Sequence, residues 1–178
     1  MSARRRAGDP GLTLIELIFA VSLIAVAMLA IASMFPTALR ALVGGGNETR
    51  ATVLAGAMMD MLRSEPFDRL ADAVPSGYNG FSTTSLSPTC PVASPASPDA
   101  DYVKKKWTCE VGGAGTLGSQ GLPGGVGTVG VVCLNPDGST GTCSSTDLRR
   151  LAVTVGWQLG QGQGTRSITL VTYVVRQE

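Results

Sequence analysis

The sequence contains no histidine among its 178 residues. Histidine is the side chain that changes charge near neutral pH, and it is the commonest metal ligand in proteins. Catalytic triads built on histidine are therefore excluded, and neither a metal nor a cofactor is predicted. The net charge is only +1, from 14 basic and 13 acidic residues. Beyond Arg4, Arg5 and Arg6 there is no electrostatic footprint for nucleic acid, so no nucleic-acid partner is predicted.

The chain also lacks the C-x-x-C pairs from which zinc sites are usually built. Its four cysteines are Cys90, Cys109, Cys133 and Cys143. An even number of separated cysteines favours two disulfides in an oxidising compartment, with four buried free thiols as the alternative. Three pairings are possible. A strong turn signal at residues 135–138 favours Cys133 with Cys143, which leaves Cys90 with Cys109.

What the sequence does contain is a long apolar run, residues 11–35, directly behind the three arginines. A secretory signal peptide has a shorter apolar region followed by a small-residue cleavage site. This run has about 24 residues, enough to span about 30 Å of hydrocarbon at 1.5 Å per residue. The preceding arginines favour a cytoplasmic N-terminus, so the rest of the chain is expected outside the cytoplasm. That location agrees with disulfide formation.

One carboxylate, Glu16, lies inside the apolar run. Its insertion costs about 2.5 to 3.5 kcal/mol at the centre of a membrane helix and less near an end, so it is expected to have a partner. Leu12 lies one helical turn earlier, on the same face. Cleavage between Gly11 and Leu12 would create an α-amine that is largely cationic at neutral pH and able to pair with a carboxylate. The alternative is a plain signal anchor in which Glu16 lies at the level of the lipid headgroups.

The motif Gly11-Leu12-Thr13-Leu14-Ile15-Glu16-Leu17, after a basic leader, resembles the processing site of type IV prepilins and of type II secretion pseudopilins. The resemblance implies cleavage after Gly11 by a membrane prepilin peptidase and methylation of the new amine of Leu12. It also implies that Glu16 recruits each subunit by neutralising the N-terminus of a neighbour in the filament. Leu12 departs from the family, which most often has phenylalanine there. This departure puts methylation in doubt more than cleavage.

The stem beyond the apolar run contains two helix-weakening features. Pro36 removes one helical hydrogen bond, which predicts either a kink or the helix end. Three glycines at residues 44–46 predict a break, after which Asn47 would cap a second, amphipathic helix that ends before Pro66. Its apolar positions are spaced by three and four residues: Ala51, Leu54, Met58, Met61 and Leu62. Methionines at this spacing, Met59 included, indicate core packing rather than a soft-metal site. The phrase at residues 61–67, MLRSEPF, resembles the end of this helix in PilV-type minor pilins.

The head is expected to be a small antiparallel sheet. Residues 75–101 indicate a connecting loop, and sheet signals cover residues 106–111 and 126–134. The glycine-rich tract between them lacks the ending of a phosphate-binding loop. Residues 151–159 alternate as a half-buried strand does, residues 167–175 are rich in β-branched side chains, and glycines between them predict a hairpin. The amphipathic helix is the available cover, so the predicted fold is α+β: a long helix on about four antiparallel strands, which is also the pilin-like fold that the resemblance implies.

No catalytic constellation is found in the head, and the protein is not predicted to be an enzyme. Asp99 and Asp101 suggest either a calcium site or an ordinary solvated loop, and the solvated loop is favoured. Lys104, Lys105 and Lys106 suggest either a contact with an anionic partner or a solvated strand entry, with strand entry as the default.

These features predict a leader at residues 1–11, a membrane and filament-core helix at 12–36, its amphipathic continuation at 37–65 and a head at 66–178. The expected function is that of a minor type IV pilus subunit, made as a prepilin and incorporated into or priming the pilus. Its expected location is the bacterial inner membrane, with the head in the periplasm, and later the filament. Expected partners are the prepilin peptidase, other pilin or pseudopilin subunits and the assembly platform. The alternatives are a type II secretion or competence pseudopilin, and an unprocessed signal-anchored envelope binding protein.

Overall fold

The computed structural model describes residues 13–72, 77–86, 90–91, 99–112, 121–144, 146–159 and 164–176. The chain divides into two compact units, with the boundary between Val43 and Gly44. The first unit contains the apolar part of one helix. The second contains the rest of that helix and the head.

Helix α1 runs without interruption over Leu14–Ser64. Pro36 and the three glycines at 44–46 lie inside it, so the predicted break is wrong and Asn47 does not cap a separate helix. Each glycine costs about 1 kcal/mol relative to alanine, but extending an existing helix adds one hydrogen bond for each residue fixed. Thr49 and Thr52 lie on the next turns, and their hydroxyls donate to the carbonyls of Gly45 and Glu48. The free-energy cost of the three glycines is therefore too small to end the helix where no other structure competes for these residues.

The last turns of α1 supply one wall of the head's core. Of the predicted apolar positions, Ala51, Met58 and Leu62 are buried there, and Ala55 and Met59 are buried beside them. Leu54 and Met61 pack against this cluster while remaining partly exposed. All three methionines of the stretch therefore belong to the core.

The sheet has four antiparallel strands in the order β1 (Phe81–Ser82), β2 (Val126–Leu134), β3 (Leu148–Gln158) and β4 (Thr165–Val175). Strand β2 has the predicted bounds, and β3 and β4 are adjacent and antiparallel as predicted. The inward residues of β3 are almost fully buried, as the alternation indicates: Leu151, Val153, Val155 and Trp157. The predicted fold, a long helix with an antiparallel four-stranded sheet, is therefore confirmed.

Residues 106–111 are not a strand. They belong to helix α3, Ala100–Gly112, which comes after the four-residue helix α2, Phe67–Leu70. Val103, Trp107 and Val111 are buried at a spacing of four residues, which is a helical period and not a strand period. The Asp99 carboxylate caps this helix by accepting a hydrogen bond from the backbone N–H of Tyr102, at 2.8 Å. The sheet's fourth strand is instead the two-residue β1, within the segment that was expected to be a loop.

Two disulfides join the expected cysteines. Cys133 pairs with Cys143 and Cys90 with Cys109, and no described cysteine is left free. The first bond closes the turn after β2, and the second attaches the chain before α3 to that helix. Both predicted pairings are confirmed.

Trp107 joins three elements of the head. Its indole N–H donates to the carbonyl of Leu54 in α1 at 2.9 Å, and its ring lies 6.0 Å from the ring of Phe81 in β1. The same ring occupies the place that a Cβ atom on Gly127 of β2 would need. Glycine at position 127 is therefore required by the close approach of the tryptophan.

Gly127→Ala should lower the free energy of unfolding by about 1 to 3 kcal/mol, because the added methyl group must displace a packed ring. The matched control is Gly130→Ala in the same strand, where nothing lies within 4 Å of the new Cβ atom. That control should be neutral or stabilising by up to about 1 kcal/mol, since alanine loses less backbone entropy than glycine. Urea unfolding followed by tryptophan fluorescence measures both. Equal effects would contradict the packing assigned to Trp107.

Candidate functional site: the apolar helix and its N-terminal carboxylate

The apolar part of α1 is exposed on all sides within the chain. Every residue of positions 13–43 is exposed, and Leu14 and Leu29 keep 77% and 72% of their accessible surface. A surface helix normally has one apolar face and one polar face, whereas a helix that is apolar all round requires an apolar environment.

By length and composition, α1 is able to cross a membrane. An 18-residue window has a mean hydropathy of 2.7 and no part of it is buried. The core helix of a soluble protein or a signal sequence near the N-terminus can pass the same test of length and composition. Leu14 to Phe35 covers 22 positions, or about 33 Å of helix at 1.5 Å per residue. That length is close to the thickness of a bilayer's hydrocarbon core.

Glu16 lies in the first turn of α1 and forms a reciprocal cap with Thr13. The backbone N–H of Glu16 donates to Oγ1 of Thr13 at 3.4 Å. The backbone N–H and the hydroxyl of Thr13 donate to Oε2 of Glu16, at 3.5 and 3.3 Å. This arrangement is a capping box, which satisfies free N–H groups at the start of a helix. Thr13 is a site residue that the sequence reasoning missed, although the spacing T-x-x-E was its signal.

The other two residues of the predicted processing site, Gly11 and Leu12, lie outside the described residues. Their cleavage and methylation therefore stay predictions. The carboxylate of Glu16 is exposed, and it points at the end of the helix where the macrodipole is positive. A cation brought to this end of α1 would meet a carboxylate already held there by its own helix.

In the head, the first of two charged clusters surrounds Tyr78. Its hydroxyl donates to Oε1 of Glu65 at 2.8 Å, and Glu65 also contacts Arg69 at 3.5 Å. Nζ of Lys104 lies 5.7 Å from the centre of the Tyr78 ring and donates to the carbonyl of Gly77 at 3.2 Å. Burial raises the pKa of Tyr78 well above its usual value, and the hydrogen bond to Glu65 raises that pKa further. Burial lowers the pKa of Lys104.

Lys104 therefore corrects the expectation for residues 104–106. They are on α3 and not at the start of a strand, and Lys104 is only 2% exposed. Lys105 and Lys106 form ion pairs one turn away, with Asp101 at 2.7 Å and Glu110 at 4.0 Å. Lys105 and Lys106 therefore pair with residues of the same helix, and Lys104 belongs to the core, because successive residues of a helix point in different directions.

The second cluster is centred on Phe67, at the end of the phrase MLRSEPF. The guanidinium carbons of Arg149 and Arg176 lie 3.9 and 5.1 Å from the centre of its ring. Arg149 is buried and donates to the carbonyl of Cys143, while Arg176 pairs with Asp68 at 2.6 Å. Burial lowers the pKa of Arg149. Phe67 thus shields the buried guanidinium and links the chain after α1 to β3 and to the end of β4.

Neither cluster combines a nucleophile, a base and an open pocket. Among the described residues there is also no group of three or more acidic, cysteine or histidine side chains that would hold a metal ion. Asp99 caps α3 and Asp101 pairs with Lys105, so neither points to calcium. Comparisons with family models, curated proteins and solved structures found no match for this chain. The apolar helix with its N-terminal carboxylate is therefore the candidate functional site.

The head should lose stability as the pH rises above about 10, the ordinary tyrosine pKa. The pKa of Tyr78 is raised on folding, so above that pH the unfolded chain releases a proton that the folded protein retains. The stabilisation is fully present below pH 10 and is lost on the alkaline side. The lowered pKa of Lys104 acts in the opposite direction, so the comparison must be made between variants.

Tyr78→Phe should lower the free energy of unfolding at pH 7 by about 1 kcal/mol, the value of one hydrogen bond, and should show a smaller alkaline loss than the wild type. Tyr173→Phe is the control, because Tyr173 is 59% exposed. Urea unfolding at pH 7 and at pH 11 measures both effects. An alkaline loss that is the same in Tyr78→Phe and wild type would refute the role of Tyr78.

Proposed function

We propose that the protein is a minor type IV pilus subunit, made as a prepilin and cleaved after Gly11. It is held in the bacterial inner membrane by α1, with its head in the periplasm, before it enters or primes a filament. The supporting observation is an uncovered apolar helix that carries a carboxylate in its first turn. The resemblance of residues 11–17 to prepilin processing sites is the second support, and the proposed cleavage after Gly11 rests on it.

Two successive environments account for an apolar surface on every side of the helix. Before assembly, lipid surrounds residues 14–35. In a filament, the same side chains contact the apolar helices of neighbouring subunits. Small side chains between the large ones, such as Ala20, Ala27 and Ala30, allow neighbouring helices to approach closely.

Glu16 performs a different task in each environment. In the isolated chain it completes the capping box with Thr13, whose backbone N–H and hydroxyl donate to one oxygen of the carboxylate. In the filament it accepts the cationic N-terminus of a neighbouring Leu12, where low polarity strengthens the attraction.

The head acts in this proposal as a structural and interaction module and not as an enzyme. Its charged side chains serve packing: Lys104 lies against Tyr78, and Arg149 lies against Phe67. Its disulfides suit the oxidising periplasm. The nearest alternative is a type II secretion or competence pseudopilin, which would share the helix and the head. A signal-anchored envelope binding protein is the alternative in which the N-terminus is never processed.

The mature chain should begin at Leu12 in cells that have an active prepilin peptidase. Cleavage exposes the amine that Glu16 needs, so a methylated or unmethylated leucine is expected as the first residue. Mass spectrometry of the N-terminal peptide measures this, and Gly11→Val is the control that blocks the site. A chain that keeps Met1 in such cells would favour the signal-anchored alternative.

Three substitutions separate the two tasks of Glu16. Glu16→Gln keeps an acceptor for the capping box but removes the charge, and Glu16→Ala removes both. Thr13→Val removes the hydroxyl of the cap and keeps the charge. If the charge recruits a neighbour, both Glu16 variants should insert into the membrane normally and enter filaments at least about tenfold less, which corresponds to 1.4 kcal/mol. Thr13→Val should assemble nearly as the wild type does.

Immunoblotting of sheared filaments against the membrane fraction measures incorporation and insertion together. Normal incorporation of Glu16→Gln with loss in Thr13→Val would assign the glutamate to capping alone. Normal incorporation of all three variants would rule out any assembly role for this turn.

A further inference from the structure

The two edges of the sheet differ in how far other residues cover their backbone groups. At the β1 edge, side chains continue the pairing that the two-residue strand begins. The backbone N–H groups of Gly127 and Val131 donate to Oγ1 of Thr83 at 2.9 Å and to Oδ1 of Asn79 at 3.3 Å. Short edge strands and covering loops are common ways in which proteins prevent further strands from pairing.

The β4 edge has no such cover in the part of the chain that is described. Backbone hydrogen bonds at the two ends of the β3–β4 ladder join Leu159 with Gly164 and Asp147 with Arg176. Because bonding alternates along an antiparallel pair, the even-numbered residues of β4 bond to β3. The odd-numbered residues from 165 to 175 therefore present their N–H and C=O groups outward.

Strand β4 also lacks the features that protect edges elsewhere. Residues 167–175 include no charged residue, no proline and no glycine, and β4 pairs with β3 at every position without a bulge. Its inward side chains are only half-buried: Ile168, Leu170, Thr172 and Val174. One more strand would cover them.

The outer face beside this edge is apolar at the end of β4, from Val171 to Val175, where it surrounds a single cation. Val171, Tyr173 and Val175 are 52%, 59% and 61% exposed. Arg150 lies between Val132 and Tyr173 in the same row of the sheet, and it is exposed. Within the described residues its guanidinium forms neither an ion pair nor a hydrogen bond. A partner that covers this face would meet one unpaired positive charge.

We propose that the β4 edge binds an extended segment of another protein chain, which adds a fifth strand to the sheet. The outward backbone groups require a strand and not a helix or a lipid. The half-buried inner face requires apolar side chains at alternate positions. Arg150 requires a carboxylate on the other face, opposite Tyr173. The two backbones are then about 10 Å apart, two strand spacings, which arginine and glutamate side chains can bridge.

A second copy of β4 satisfies these requirements less well. The strand contains no carboxylate to meet Arg150. An antiparallel register that uses all outward groups of both copies sets residue 165 opposite residue 175. This register sets Ser167 of one copy opposite Tyr173 of the other, where Arg150 requires a carboxylate. The charge pattern therefore favours a different, acidic partner segment. This proposal does not depend on processing or on membrane insertion.

Two blocked, fluorescently labelled nonapeptides test the proposal with the full chain in detergent micelles. Both alternate threonine and valine, and the middle residue is glutamate in one and lysine in the other. Fluorescence anisotropy should show saturable binding of the glutamate peptide, at least about tenfold tighter than the lysine peptide. Arg150→Gln should abolish this preference but leave binding.

Thr169→Pro should abolish binding, because it removes an outward N–H and leaves the bonds to β3 in place. Thr169→Val is the matched control. Like the proline variant it loses the Thr169 hydroxyl, which lies 2.8 Å from the hydroxyl of Thr154, but it keeps the backbone N–H and should therefore bind the peptide. Ser167→Pro is a second outward substitution if Thr169→Pro fails to fold. The absence of saturable binding to the wild type would overturn the proposal, and so would unchanged binding to a folded proline variant. Dimers of the chain that form without peptide and are lost in the proline variants would show that a second copy occupies the edge.

Discussion

The uncovered apolar surface of α1 is the constraint on which the rest of the structure depends. From Thr13 to Val43 every residue is exposed, and the helix has no polar face that could be turned to water. A helix that is apolar all round is typical of a membrane span or of the core of a larger protein. The remaining part of α1 meets a different requirement, because its apolar residues lie on one face and the sheet covers them. One continuous helix thus belongs to an apolar environment over its first part and to a folded head over its last part.

The head is held together by a core that includes two buried cations. Lys104 and Arg149 are each 2% exposed, and burial of a charge costs several kcal/mol unless partners compensate. Each has an aromatic ring and a backbone carbonyl as partners: Tyr78 and Gly77 for Lys104, and Phe67 and Cys143 for Arg149. These contacts link α3 and β3 to the chain that follows α1. These two buried cations therefore serve the structure of the head.

Patterns in the sequence predict the parts of this fold that rest on long, regular repeats. The alternation at residues 151–159, the bounds of β2, the buried face of α1 and both disulfides follow from spacing and turn chemistry. Residues 106–111 alone do not predict helix α3, because the four-residue period needs all three of Val103, Trp107 and Val111. Strand β1 has two residues and no period at all, so its position is set by its partner strand. The glycines at 44–46 predict a break that is wrong. Helix propensity describes each residue locally, whereas helical residues on both sides of the glycines extend the helix through them. At the candidate site, the charge of Glu16 in an apolar run makes it conspicuous, whereas its capping partner Thr13 is indicated only by the spacing T-x-x-E.

The ion pair between Arg176 and Asp68 joins residues 108 positions apart. The hydrogen bond from Arg63 to Thr172 joins residues 109 positions apart. Contacts between residues so far apart in the sequence are non-local. Such contacts form slowly, because closing the loop costs entropy before the contact contributes any stabilisation. The chain is synthesised from its N-terminus, so α1 is complete long before β4 exists to pack near its end. During that interval the last part of the helix lacks its native partner in the head, and the apolar part stays exposed. Early delivery of α1 to a membrane would shelter the apolar segment while the strands are still being made, so the order of synthesis itself favours anchoring before folding.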